Sequence, residues 1–275
     1  MSRLAPWTLL TFASGRFLNA RNRFIRQAVA MDAFDAQIVV TAESLDRIVP
    51  GFTQEHGDFL RKNQTKGFGY WLWKPAIIQA VLQAIPPSSG LLYCDIGCEF
   101  NSTDTAKTRL SELMEVALES GLLATHLGND FPEWQWSKKA LTDSLDLTDS
   151  DLNGPLIQGG VLFLKRVPTT IELVSEWMSI ASCNSYSFLD DSPSPSPERV
   201  GFRRHSHDQA ILSGLVKSYG LPSVEFPRHP LYSMRERRAN PIMATRNCGR
   251  LSSGGITGIV RLSNYVAKRS SMLPI

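Results

Sequence analysis

Apolar and polar residues alternate along the chain in short blocks that predict strands separated by helices. Strand-like apolar runs, bounded by glycine, proline and serine, occur at residues 7–13, 38–40, 91–94, 122–127 and 157–165. Apolar residues at helical spacing lie between and after them, at residues 15–31, 52–63, 75–85, 104–120, 169–180 and 205–220. Strands that alternate with helices form a mostly parallel sheet whose faces are covered. We therefore predict an α/β fold.

Two stretches interrupt this alternation. Residues 127–156 are irregular in pattern, and residues 190–201 (DDSPSPSPERVG) form a proline- and serine-rich loop that we predict to be mobile. The sequence has no internal repeat and no clean linker. We predict one main domain over residues 1–230, with a C-terminal segment over residues 231–275.

Composition and charge exclude several classes of protein. The chain has 275 residues, of which 43% are hydrophobic and 20% charged, and this excludes disorder throughout. The net charge is only +3 and the basic residues are scattered, so no nucleic-acid partner is expected. The four cysteines lack CxxC spacing, and neither a signal peptide nor a membrane-spanning apolar run occurs. We expect a cytoplasmic protein, at most peripherally bound to the inner face of the membrane.

A carboxylate follows a buried strand in the segment LLYCDIGCEFN, residues 91–101. Ligands of open α/β sheets bind beyond the carboxyl ends of the strands, which is where Asp95 falls. Gly97 would let the backbone approach a ligand closely, and Glu99 would add an oxygen ligand for Mg²⁺ or Mn²⁺. The alternative is that Asp95 only caps its own turn, with Gly97 needed for a positive φ. The strand pattern alone favours neither interpretation.

The segment GYWLWKP, residues 69–75, places a lysine among aromatic residues at the start of a predicted helix. Tyr70, Trp71 and Trp73 are expected to supply core or base-stacking surface. A helix N-terminus disfavours a cation unless an anion is bound there too, and helix N-termini bind phosphates. We therefore predict that Lys74 contacts a phosphate, with simple surface exposure as the alternative.

The segment HSHDQ, residues 205–209, precedes the last amphipathic helix. Asp208 is explained equally well as a cap of the free N–H groups of that helix and as a residue with a chemical role. His205 and His207 are candidate metal ligands, although histidines at such a position are more often exposed or hydrogen-bonded.

Four segments taken together resemble a known family. In order, they are GFGYWLWKPAIIQAVLQAI, LLYCDIGCEFN, IQGGVLFLK and HSHDQAILSGLVKSYG. They resemble the bacterial glycosyltransferases of the GT-A fold that act in polysaccharide and glycan biosynthesis. The resemblance covers roughly residues 7–230, and the GYWLWKP and YCDIGCE pair is its most specific part.

The resemblance implies a GT-A-like single domain with a mixed, mostly parallel sheet flanked by helices. It also implies a nucleoside-diphosphate-sugar donor such as a UDP-sugar, a glycan or lipid-linked acceptor, and Mn²⁺ or Mg²⁺ bridging the diphosphate. Asp95 and Asp208 fall on catalytic positions, with Asp208 as base or as a group that stabilises an oxocarbenium-like state. The C-terminal segment would pack on the site or close over it. The donor-binding positions would be Thr11, Ser14, Arg21, Lys74, Asp95, Gly97, Gly159, Gly160 and Gln209, with Arg23 also facing the nucleotide.

The chain departs from this family in its acidic motif. Familiar members carry Asp-x-Asp, whereas this chain has Asp95-Ile96-Gly97, and its next carboxylate is Glu99. Asp95 would therefore need Glu99, His207 or His229 as further metal ligands. A metal-independent site that uses Lys74 and arginines is the alternative.

Three hypotheses follow from the sequence. The first is a glycosyltransferase that moves a hexose from a nucleotide sugar to a glycan or lipid-linked acceptor. The second is a catalytically inactive GT-A-like domain that binds glycans or a partner protein, suggested by the missing second aspartate. The third, a phosphohydrolase with Asp95 as nucleophile, ranks last because the motif has no second nearby aspartate.

Overall fold

The computed structural model describes residues 5–226 and 239–248, and a six-stranded sheet organises it. Its strands are β1 Trp7–Ala13, β2 Ala36–Thr41, β3 Gly90–Cys94, β5 Leu122–His126, β6 Ile157–Lys165 and β7 Ser223–Glu225. They follow the order β2-β1-β3-β6-β5-β7. Only β6 is antiparallel to its neighbours within this sheet. The predicted α/β class with a mixed, mostly parallel sheet is confirmed.

Helices cover both faces of this sheet. The helices of the described residues are α1 Arg21–Met31, α2 Leu45–Ile48, α3 Phe52–Lys62, α4 Gly67–Tyr70, α5 Trp73–Ala84, α6 Asp104–Ser120, α7 Lys139–Ser144, α8 Asp149–Asn153, α9 Pro168–Ser182 and α10 Asp208–Ser218. One core joins α5, α9 and α10 to the sheet, and a second core joins α1 and α6 to its other face. The apolar faces of the helices thus pack against both apolar faces of the sheet and form two layers of core.

The central strands are mostly apolar because both of their faces are buried. In β1, Leu10 and Phe12 belong to the core of α5, whereas Leu9 and Ala13 belong to the core of α1. Successive side chains of a strand point to opposite faces, so a doubly covered strand has no polar face.

The aromatic segment before α5 forms core, as expected. Trp73 stacks on Phe12 with ring centroids 3.8 Å apart, and Tyr70 is buried. Trp71 is only partly buried. Phe68, Tyr70 and Trp71 have φ values of 54°, 52° and 61°, so the chain turns tightly before it enters α5. This turn fixes the point at which α5 starts.

The two irregular stretches are more ordered than their sequence indicates. Residues 127–156 contain α7, α8 and the fully buried Glu133, whose carboxylate accepts from Lys217 Nζ at 2.7 Å. The loop 190–201 has no regular structure, but its Glu198 accepts a hydrogen bond from the backbone N–H of Lys139 at 2.7 Å. We therefore revise the expectation of a freely mobile loop, because its distal end is anchored on α7.

A second, small sheet brings the C-terminal part of the chain back to the main domain. Strand β4, Glu99–Phe100, pairs antiparallel with β8, Ile242–Met243. Residues 227–238 and 249–275 lie outside the described residues, so the predicted boundary at residue 230 stays a prediction. Within the described residues, no helix combines the length and apolarity needed to cross a membrane.

Candidate functional site

The candidate site lies at the carboxyl edge of β3, where the sequence placed it. Because β6 runs antiparallel to β3, the start of β6 lies beside the end of β3, with Cys94 opposite Val161. The backbone N–H of Asp95 donates to the Gly160 carbonyl at 2.8 Å. The strand-end carboxylate and the Gly159-Gly160 pair are therefore neighbours.

Lys74 is the centre of a buried group of charges. Its side chain is 3% exposed, and its Nζ lies 2.7 Å from Asp208 Oδ2 and 3.8 Å from Asp95 Oδ1. The ammonium also donates to the Gly159 carbonyl at 2.9 Å. Burial lowers the pKa of Lys74, but the two carboxylates outweigh it and hold the pKa above its ordinary value. The surface interpretation of Lys74 is wrong, since the lysine is an interior cation.

Asp208 is the buried partner of this lysine. It is the first residue of α10, and only 4% of it is exposed. The contact with Lys74 is an ion pair rather than a well-aligned hydrogen bond, because Oδ2 has no hydrogen-bond partner despite the 2.7 Å distance. Burial raises the pKa of Asp208 to about 6 against the opposing effect of Lys74. A capping role alone does not explain this residue.

Asp95 is the accessible member of the group. Its side chain is 44% exposed, and Oδ1 accepts a hydrogen bond from the Tyr93 hydroxyl at 2.7 Å. Burial raises the pKa of Tyr93 well above its usual value, so the phenol stays protonated and keeps donating. The Asp95 carbonyl, in turn, accepts from Cys98 N at 2.8 Å and closes the turn. The backbone closes this turn, which leaves a carboxylate oxygen of Asp95 facing the open edge.

The two glycines of β6 leave room for these charges. A Cβ on Gly159 would lie 3.1 Å from Asp208 Oδ2 and 3.3 Å from Lys74 Nζ. A Cβ on Gly160 would lie 3.0 Å from Asp95 Oδ2. Gln209 is half-buried, and its Cβ lies 3.5 Å from the point that a Cβ on Gly159 would occupy. Gly159, Gly160 and Gln209 therefore belong to the same site as the three charged residues.

The predicted donor contacts on β1 and α1 are less well supported. Thr11 has no exposed surface, and its hydroxyl is enclosed without a hydrogen-bond partner, so the prediction that it faces a ligand is wrong. Both faces of β1 are buried, and Thr11 lies on the face that it shares with Leu9 and Ala13. Ser14 is half-buried just beyond the end of β1, and Arg21 is exposed at the start of α1. These two remain candidates.

Arg23 has a different role from the one expected. Its guanidinium donates to the carbonyls of Cys98 at 2.6 Å, Ile96 at 2.8 Å and Asn247 at 3.2 Å. It also donates to the Gln27 side chain at 2.8 Å. Arg23 therefore ties α1 to the turn that follows Asp95. Because its guanidinium donates to the backbone of that turn, Arg23 positions the turn and does not contact a ligand.

The predicted metal ligands are not gathered around Asp95. Glu99 accepts from the Asn247 amide at 3.0 Å, and His207 Nδ1 lies 2.9 Å from the Leu189 carbonyl. Across residues 5–226 and 239–248, no three His, Cys, Asp or Glu side chains form a group able to hold a metal ion. His229 lies outside the described residues. Asp95 Oδ1 also lies 3.8 Å from the Lys74 ammonium, whose positive charge would repel a cation bound to this carboxylate, so the described side chains do not fit a resident Mn²⁺ or Mg²⁺.

Asp208 gives the protein an unusual pH dependence of stability. Its folded-state pKa of about 6 exceeds the ordinary value of 3.8, so the folded state binds the proton more tightly than the unfolded state. This group therefore stabilises the fold at low pH, and that contribution declines as pH rises to about 6. We expect wild type to lose stability relative to Asp208→Asn between about pH 4 and pH 6 in urea unfolding. If wild type instead keeps or gains stability relative to Asp208→Asn as pH rises, the ion pair with Lys74 outweighs burial.

Comparison with known proteins gives structural likeness but no sequence relative. No protein-family model matches the chain, and no curated protein does. A structure of the galactosyltransferase LgtC with donor and acceptor sugar analogues has 14% identity and a TM-score of 0.47, over 88% of this chain and 87% of that one. A glycosyltransferase involved in the glycosylation of the major capsid of PBCV-1 has 13% identity and a TM-score of 0.44, over 86% and 91%. Mouse xyloside xylosyltransferase 1 has 12% identity and a TM-score of 0.40, over 81% and 84%. At values this low, the chemistry of the site must be inferred from its own residues.

Proposed function

We propose that this protein is a glycosyltransferase that moves a sugar from a nucleoside-diphosphate sugar to a glycan or a lipid-linked acceptor. The observation that carries the proposal is the group formed by Lys74, Asp95 and Asp208 against Gly159-Gly160 at the carboxyl edge of β3. Ligands of such sheets bind at this edge. A GT-A-like arrangement, with the donor lying across the end of the sheet, suits this position.

Within this proposal, Lys74 supplies fixed positive charge near the bond that breaks. Transfer of a sugar separates the anomeric carbon from a diphosphate that gains negative charge as it leaves. A buried ammonium that is already oriented stabilises that charge without reorganisation in the transition state. Asp208 and the Gly159 carbonyl hold the ammonium in place.

The two carboxylates take different roles. Asp95 is open to solvent on one side, so it is the carboxylate that accepts hydrogen bonds from donor hydroxyl groups. Asp208 is buried and paired with Lys74. A catalytic base must lie within hydrogen-bond reach of the acceptor whose proton it receives, and burial keeps an acceptor away from Asp208. We therefore assign Asp208 the positioning of Lys74 rather than the role of base.

The glycines define where the sugar lies. Gly160 is partly exposed next to Asp95, and neither it nor Gly159 carries a side chain between the charges and the edge of the sheet. Glycine allows a ligand to approach the backbone closely. A sugar ring over Gly160 would reach Asp95 from this side.

One feature favours a second candidate, the catalytically inactive glycan-binding or partner-binding domain. Gly97 stands where Asp-x-Asp enzymes carry their second carboxylate. Such a domain would bind no nucleotide sugar, even with Mn²⁺ present. Turnover and donor binding therefore separate the two candidates.

The test is release of free nucleoside diphosphate from UDP-, GDP- and dTDP-sugars, and of free CMP from CMP-sugars, with and without Mn²⁺. The proposal expects slow hydrolysis of one donor, which an acceptor accelerates and Asp95→Ala abolishes. Silence across the whole panel, together with no calorimetric binding of any donor, would contradict it. Dependence on Mn²⁺ stays a prediction, and the same panel with EDTA decides it.

A further inference from the structure

Residues 242–247, which belong to the C-terminal segment and are called here the strap, hold the turn that follows Asp95. Strand β8 of the strap pairs with β4 directly after this turn. The Gly97 carbonyl accepts from Thr245 Oγ1 at 3.0 Å and from Asn247 N at 2.9 Å. The strap is thus part of the acidic turn, although it lies far away in sequence.

The strap also explains why a glycine follows the acidic residue. A Cβ on Gly97 would lie 3.1 Å from the Cα of Arg246 and 3.1 Å from Cε1 of Phe17. The φ of Gly97 is not positive, so tight space rather than backbone conformation favours glycine at this position. The backbone of Arg246 thus fills the place of a side chain at position 97.

Arg246 is held in an uncommon conformation. Its φ is 54°, a left-handed value that a non-glycine residue adopts at some cost in free energy, and it is exposed. Arg16 is a second exposed arginine here, with Cζ 5.4 Å from the ring centroid of Phe17. Unlike Arg23, which donates to carbonyls of the acidic turn, Arg16 and Arg246 are exposed. The Arg246 backbone and the Phe17 ring both lie against Gly97 of that turn.

When a donor binds, Lys74 alone does not balance the negative charges at the site. Asp95 and Asp208 carry two negative charges against the single positive charge of Lys74. A nucleotide sugar adds two further negative charges on its diphosphate. A guanidinium binds phosphate oxygens through two parallel N–H groups, and it is the side chain best suited to supply this charge.

We propose that Arg246 binds the diphosphate of the donor. Its guanidinium neutralises the charge that a metal ion held by a second carboxylate would otherwise neutralise. This inference rests on the proposed function. It places the C-terminal strap in the donor site and identifies a binding residue that the acidic motif does not reveal.

The test is calorimetric titration of UDP, GDP and dTDP, and of the matching nucleosides, in the presence of EDTA. We compare wild type, Arg246→Asn and, as a control, Arg109→Ala, which removes an exposed arginine paired with Glu112 on α6. Asparagine tolerates a positive φ, so the strap keeps its path. We expect wild type to bind one diphosphate without metal and Arg246→Asn to bind it about 10- to 100-fold more weakly. Binding of the nucleoside and the melting temperature should not change.

Three outcomes would overturn the inference. Equal diphosphate affinity of Arg246→Asn and wild type would remove Arg246 from the site and leave the proposed function intact. Binding that appears only when Mn²⁺ replaces EDTA would assign the charge neutralisation to a metal ion. If wild type binds no diphosphate under either condition, the proposed function fails together with the inference.

Discussion

Replacing Lys74 with methionine should abolish turnover and destabilise the fold. The variant leaves Asp208 buried without its cation, and breaking a buried ion pair from one side typically costs about 3–5 kcal/mol. Loss of a preorganised charge at the reacting centre should also lower kcat at least about 100-fold. Urea unfolding and donor turnover measure the two effects separately.

The double variant Lys74→Met with Asp208→Asn distinguishes the role in stability from the role in catalysis. Without a buried unpaired charge, it should recover much of the lost stability while remaining inactive. Lys66→Met is the matched control, because Lys66 pairs with Asp191 at 2.6 Å but both side chains are about half exposed. That surface pair should be worth at most about 1 kcal/mol. Recovery of turnover in the double variant would show that Lys74 acts only through stability.

Replacing Asp95 should also abolish activity, but unlike the replacement of Lys74 it should keep most of the stability. The Asp95 carboxylate is 44% exposed, and its recorded hydrogen bond comes from Tyr93. We expect Asp95→Ala to lose turnover by more than about 100-fold and to lose about 1–3 kcal/mol of stability, because the buried Tyr93 hydroxyl loses its acceptor. Asp95→Asn keeps an acceptor for Tyr93, and it should be equally inactive and as stable as wild type.

The control for this experiment is Asp58→Ala, which removes an exposed carboxylate on α3 and should leave both properties unchanged. A large loss of stability in Asp95→Asn with turnover preserved would favour the interpretation of Asp95 as a structural residue of its turn. Equal turnover of Asp95→Ala and wild type would remove this carboxylate from the chemistry altogether.

Much of the fold could be predicted from the sequence because its signals are local. The apolar runs of β1, β3 and β6 and the helical spacing of α5 are each determined by which faces are buried. Asp95 at the edge of the sheet follows from the strand that precedes it. The reversed direction of β6 has no local signature, and it brings Gly159-Gly160 to the same edge.

The parts of the site that could not be predicted depend on contacts between distant segments. The sequence predicts that Lys74 contacts a phosphate or lies at the surface and does not reveal its burial, because its partner Asp208 lies on α10, far along the chain. Arg23 reads as a ligand contact because the carbonyls that use its donors belong to the acidic turn and the strap. Arg246 has no motif around it, and only its contact with Gly97 reveals its position.

The most direct test of the nucleotide-sugar site is a thermal-shift screen of UDP-, GDP-, CMP- and dTDP-sugars against wild type and Asp95→Asn, each with EDTA or Mn²⁺. A ligand that binds only the folded state raises the melting temperature by mass action. We predict that one nucleotide sugar raises the melting temperature of wild type with EDTA present, and that this shift is reduced or lost in Asp95→Asn, which has lost the carboxylate that accepts from the sugar hydroxyl groups. No shift with any nucleotide sugar, or the same shift in both proteins, would contradict a donor site built on Asp95.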